Sequence, residues 1–115
     1  MSELVVEVIE SYNNYIENVG PGSIKIAEHL RKDEIQDAMQ MILQFSEGMS
    51  WLVQASELLI KNGVKVVLET EKINEFLTEI NNGLEMEDFV IVADMFEYEI
   101  APFFEESPRI EGFES

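Results

Sequence analysis

The sequence predicts an all-α domain, an antiparallel up-and-down helical bundle of four main helices plus one short helix. Three observations predict it. Apolar residues recur at alternating spacings of three and four along most of the chain, the period of helices that pack on other helices. Gly, Pro and Asn interrupt that pattern where short interhelical turns are needed. The one β-branched stretch, residues 64–68, has no second strand candidate to pair with it.

The first helix is predicted over residues 3–19, with Val5, Ile9, Tyr12, Ile16 and Val19 as its seam. Gly20-Pro21-Gly22 is expected to end it, because Gly permits a left-handed cap and Pro cannot continue the hydrogen-bond ladder. A short helix is then expected over 23–31, with Ile26, Ala27 and Leu30 apolar. Asp33 resembles an N-cap and Gln36 stands where a capping box places it, so Lys32-Asp33 is expected to be a tight turn.

The clearest pattern runs over 34–61, through Ile35, Ala38, Ile42, Phe45, Met49, Leu52, Ser56 and Leu59. It closes at Asn62-Gly63 and gives a helix roughly 43 Å long if straight. Residues 64–68 are expected to form an extended connector covering one end of the bundle. Thr70 is expected to cap a helix over 70–84, with Ile73, Phe76, Leu77 and Ile80 inward.

The last helix is predicted over 88–105, with Phe89, Val92, Ala93, Phe96, Ile100 and Phe103 as its seam. Residues 89–93 are apolar nearly all round, so several faces are expected to be covered there. Pro102 is expected to kink or loosen the final turn. The domain is therefore taken as residues 1–106, and residues 107–115, which lack periodicity, as a flexible acidic tail. The two hairpin turns near Asp33 and Asp88 are each followed five residues later by Ala38 or Ala93. Tight helical turns share such chemistry without a duplication.

Composition narrows the function. Seven Lys and Arg stand against twenty-four Asp and Glu, a net charge of −17. That field repels phosphate backbones and anionic lipid heads, so neither nucleic acid nor membrane is an expected partner. No cysteine is present, which excludes disulfides and thiolate catalysis. The cytoplasm is the expected compartment, since Glu3, Glu7 and Glu10 break the apolar run a signal peptide needs. The single histidine, His29, cannot supply the two Glu-x-x-His pairs of a di-iron bundle. No cofactor is expected.

Three function classes remain, of which one, an acidic decoy that mimics nucleic acid and binds a basic protein, rests on the charge alone. Trp51 falls off the seam of its helix, with Gly48 a turn before it and Ala55 a turn after. Such a small–Trp–small column can receive another helix, of the chain itself or of a partner, and Met41 beside it suits an adaptable groove. Phe103 and Phe104 offer a second apolar end. These residues support a non-catalytic protein acting through a protein partner or self-association: an adaptor, regulator or secretion chaperone. Small flagellar-type chaperones are similar in size, acidity and helical build.

The alternative class rests on paired carboxylates. Glu7 with Glu10 and Glu34 with Asp37 form E-x-x-E and E-x-x-D, whose order resembles that of the all-α, magnesium-dependent nucleotide pyrophosphohydrolases. The resemblance implies that these four acids hold a divalent ion between facing helices. With more than a fifth of the chain acidic, however, the pattern recurs by composition alone, as at Glu85 and Asp88. Asp94 and Glu97, on one face near the apolar part of the last helix, are expected to be partly buried. They are candidates for a carboxylate network reaching Tyr12 or Tyr15.

Overall fold

The computed structural model describes residues 2–112, and their regular structure is entirely helical. Helix α1 spans Glu3–Arg31, α2 Ile35–Lys61 and α3 Thr70–Glu85. The last helical stretch, residues 89–106, is built of α4 (Phe89–Met95), a π-helical turn (Phe96–Ile100) and α5 (Ala101–Glu106). These elements make the four-helix antiparallel bundle the periodicity predicts, about 46 Å long and 21 Å across. α1 is the spine, packing on α2 along one side and on α4, the π turn and α5 along another, while α3 rests mainly on α4.

The largest departure from expectation lies in α1. Gly20-Pro21-Gly22 does not end the helix, and residues 23–31 are its continuation rather than a separate short helix. Two glycines and a proline cost a helix interior roughly 5 kcal/mol relative to alanine. Val19, Ile26, Ala27 and Leu30, all buried, lie on both sides of the break. Each large apolar side chain that the continuous helix keeps in the core returns roughly 1.5–3 kcal/mol, so packing outweighs local propensity. Each of the three residues has its place. Gly20 is buried where Glu105 of α5 crosses, Pro21 faces solvent, and Gly22 borders a groove toward α2.

All three interhelical turns close by the same device. After α1, Glu34 N–H donates to His29 C=O (2.9 Å) and Asp33 N–H to Leu30 C=O (3.2 Å). Equivalent pairs run from Val64 to Leu59 and Gly63 to Ile60, and from Asp88 to Gly83 and Glu87 to Leu84. These are Schellman caps, and each needs one residue in the left-handed region. Asp33 (φ 62°), Gly63 (φ 80°) and Glu87 (φ 54°) occupy it. Asp33 is therefore a C-terminal cap, not the N-cap of α2. That position falls to Glu34, which makes no side-chain cap bond. Thr70 likewise is the first helical residue of α3, with Glu69 at the cap. The hairpins correspond through Asp33 and Glu87, so Ala38 matches Val92 and the spacing of the two alanines is one residue out of register.

In the last helix Asp88 does cap, its side chain accepting from Ile91 N–H at 3.1 Å. The loosening expected at Pro102 takes the form of a π turn just before it. Without an N–H it cannot bond Tyr98, and Ala101 N–H reaches back five residues to Phe96 C=O. The extra residue shifts the seam. Phe96, Ile100 and Phe104 are fully buried, while Phe103 is only half-buried.

Residues 107–110, assigned by their lack of periodicity to a tail, return along α1. Asn13 donates from Nδ2 to Ile110 C=O (3.0 Å) and accepts from Ile110 N–H (2.8 Å), burying the Ile110 side chain. Arg109 pairs with Glu17 at 2.6 Å. The rest of the predicted tail, residues 113–115, lies outside the described residues.

Two stability measurements check this packing. A non-glycine residue in the left-handed region costs roughly 1–2 kcal/mol, part of which the added freedom of unfolded glycine cancels. Glu87→Gly is expected to raise unfolding free energy by about 0.5–1 kcal/mol in urea titration. Burial pushes the Tyr12 hydroxyl from its ordinary 10 up to about 12. Below pH 10 Tyr12 is neutral folded and unfolded, so its contribution is fully present. Above pH 10 the unfolded chain loses the proton first, and stability falls until about pH 12. Tyr12→Phe is expected to flatten that part of the alkaline melting curve.

Candidate functional site

The candidate partner-binding residues converge on the α1–α2 seam, where the two helices run antiparallel. The space left by Gly48 is filled from within. A Cβ built there would lie 1.8 Å from the Tyr15 hydroxyl and 2.5 Å from Cζ, so the tyrosine of α1 seats directly on the glycine. Its ring meets Trp51 edge-to-face, with centroids 5.9 Å apart. Ala55 is buried, while Trp51 keeps 38% of its surface in solvent. The small–Trp–small column therefore receives α1 of the chain itself, through Tyr15, and the indole is left at the rim.

One end of that aromatic pair opens into a pocket of about 180 Å³ between the helices. Val19, Gly22, Ser23 and Ile26 of α1 line one wall, and Met41 and Phe45 of α2 the other. Asn18 and Gln44 add neutral amides, and no charged side chain contributes. In a chain of net charge −17 an uncharged concavity is a local exception. Trp51, Gly48 and Met41 thus belong to one continuous surface joined through Tyr15.

The other candidates part company. Phe104 is fully buried, packed edge-to-face against Phe103, and Phe103 in turn meets Phe76 of α3. That end is core, and Phe104 is not available to a partner. On α4 the expected coverage of residues 89–93 does not occur. Val90 and Ile91 are 72% and 51% exposed, a second uncovered apolar surface.

Asp94 is exposed and Glu97 partly buried, and both bond Arg31 rather than Tyr12 or Tyr15. Arg31, the last residue of α1, bridges both, its Nη2 donating to Asp94 at 2.8 Å and its Nη1 to Glu97. The guanidinium also lies 5.8 Å from the Tyr98 ring centroid. Hydrogen bonding to Asp94, above all, raises the Arg31 pKa, so the guanidinium stays charged. Exposed pairs of this kind contribute about 1 kcal/mol or less. The cluster is a clasp between α1 and the last helix.

The acidic quartet is divided. Glu7 and Glu10 stand on the opening turns of α1, whereas Glu34 and Asp37 stand beyond its far end, roughly 30 Å away along the helix. No single ion can be held by all four. Glu34 and Asp37 instead meet His29, whose Nδ1 lies 2.9 Å from Glu34. The ligand atoms of this trio lie within 4.8 Å of one another, a surface ion pair flanked by a second acid.

Sequence reasoning assigned Tyr15 to the carboxylate network instead of to this surface, and missed Ser23 and Leu58. Tyr15 is half-buried off the α1 seam, and its only signal was the glycine opposite. Ser23 sits among apolar positions. Leu58, exposed seven residues after Trp51 and so on the same helix face, was readable from spacing alone. The Tyr15–Gly48 contact predicts a reversal of sign. Gly48→Ala is expected to destabilise the protein by about 1 kcal/mol or more, because Tyr15 must leave Trp51. In a Tyr15→Ala background the same change is expected to stabilise by about 1 kcal/mol, the helix propensity of alanine alone. Urea titration of the four proteins reads both values.

No helix among the described residues is long and apolar enough to cross a membrane. No curated protein and no solved structure matches the chain. Residues 7–109 match the family described as Domain of unknown function (DUF8042). That match spans all four helices and the returning segment up to Arg109, and the chain belongs to this family.

Proposed function

We propose that this chain is a non-catalytic interaction protein that docks a helix of a protein partner along the α1–α2 face, as a small adaptor, regulator or secretion chaperone does. The observation that carries the reading is the half-exposed Trp51 indole, braced by Tyr15 on Gly48. A large rigid aromatic at the rim of an apolar concavity is the usual anchor of a helix-in-groove contact. Leu58, on the same stripe of α2, supplies a second anchor two turns along. The surrounding acids favour a partner with a basic margin and keep the exposed apolar residues soluble. A second copy of the chain is the other occupant the same stripe suits.

The experiment is affinity capture and crosslinking with the wild-type chain and Trp51→Ala, alongside circular dichroism and sedimentation. Trp51→Ala is expected to keep its helicity, losing about 1–2 kcal/mol of stability with the aromatic pair. It is expected to weaken partner or self-association by about thirtyfold or more, the scale of an anchor residue. Unfolding of that variant would show Trp51 to be core and end the proposal, as would association unchanged by the substitution.

A further inference from the structure

We infer that the pocket between α1 and α2 is a binding site for a small uncharged aromatic molecule carrying one hydrogen-bonding group, a phenol in chemical class. This goes beyond docking of a partner on the outer stripe and does not depend on it.

Ser23 is the first observation. It is 1% exposed, lines the pocket, and its Oγ bonds no other protein group. The contrast with Ser56 is informative. That serine, equally buried in α2, donates to the carbonyl four residues before it, Leu52, at 2.8 Å. A helix thus has a ready means of satisfying a buried hydroxyl, and Ser23 does not use it. Oγ presents no free surface in this rotamer, and a buried polar group left without a partner costs roughly 1–3 kcal/mol, which a ligand hydroxyl would recover once a rotation about χ1 turns Oγ to the pocket that the residue lines.

Gly22 is the second. A Cβ built on it meets nothing within 4 Å, so no neighbour demands a glycine there. Alanine would gain the helix about 1 kcal/mol. What the missing side chain leaves open is the pocket wall, beside the hydroxyl.

The pocket itself fixes the rest. Its walls carry the Tyr15 and Phe45 side chains, Ile26, the Met41 thioether and the neutral Asn18 and Gln44 amides, and no charged group. An apolar cavity of roughly 150 Å³ accepts a benzene ring. At about 180 Å³ this one has room for a ring and a small substituent. The absence of any lining cation and the net charge of −17 exclude carboxylates and phosphates. The class that remains is an apolar ring with one neutral hydroxyl.

The test is titration of the isotopically labelled full chain with p-cresol, toluene and p-toluate, followed by amide chemical shifts. p-Cresol is expected to shift the Gly22, Ser23 and Met41 amides saturably. Toluene should bind there about five- to tenfold more weakly, the worth of one buried hydrogen bond, and p-toluate should not bind. Ser23→Ala, which removes only the unpaired hydroxyl, is expected to bring p-cresol and toluene within twofold of each other. Gly22→Leu, which fills the space with a good helix former, is expected to abolish both. Absence of saturable shifts from p-cresol overturns the inference. So does an unchanged p-cresol-to-toluene ratio in Ser23→Ala, or undiminished binding in a folded Gly22→Leu.

Discussion

Helix α1 runs unbroken through Gly20-Pro21-Gly22, and α2, the last helical stretch and the returning segment are all packed against it. α2 descends one side of it, and α4, the π turn and α5 descend another. As residue number rises from Asp94 to Ile110, the partner on α1 falls from Arg31 through Gly20 and Glu17 to Asn13. Had the chain turned at Gly20, Arg31 could not clasp the last helix and Asn13 could not receive Ile110 in one continuous antiparallel packing. The unbroken helix also shapes the pocket between α1 and α2. Gly22 opens the wall of the pocket, and Ser23 stands beside it because the helix continues.

Most helix boundaries beyond Arg31, the alternation of up and down, and most of the core were legible in the sequence because they follow from local periodicity. Val5, Ile9, Tyr12, Ile16 and Val19 are all buried, as are Ala38, Ile42, Phe45, Met49, Leu52 and Ser56. The failures share one cause: a local signal overruled by a distant contact. The breakers at 20–22 were read by intrinsic propensity, which core burial on both sides outweighs. The π turn moved the inward register from Phe103 to Phe104, a change of one residue that no period reveals. The segment after Ser107 has no pattern of its own, and one asparagine ninety-seven residues earlier in the chain holds it.

The candidate site was legible in part. Gly48, Trp51 and Met41 lie along one stretch of α2, and Tyr15 of α1 is what joins them. Its key element, Tyr15, lies on another helix and carries no mark in its own neighbourhood. The acids behaved differently. Their density made pairs abundant, but their positions follow the helix ends and outer faces, where dipole and solvent favour them. Arg31 gathers Asp94 and Glu97 into a clasp, and the length of α1 keeps Glu7 and Glu10 from Glu34 and Asp37. What distinguishes this surface is the uncharged groove among the acids.

The continuity of α1 can be measured directly, because a chain without cysteine accepts spin labels at chosen sites alone. Glu10 and Glu28 are both exposed and stand eighteen residues, or five turns, apart on one face of α1. Glu10→Cys with Glu28→Cys, labelled and measured by pulsed dipolar spectroscopy, should give one narrow distance distribution near 27 Å. A main population below about 20 Å would mean that the chain turns at Gly20-Pro21-Gly22, and would contradict both the spine and the pocket it forms.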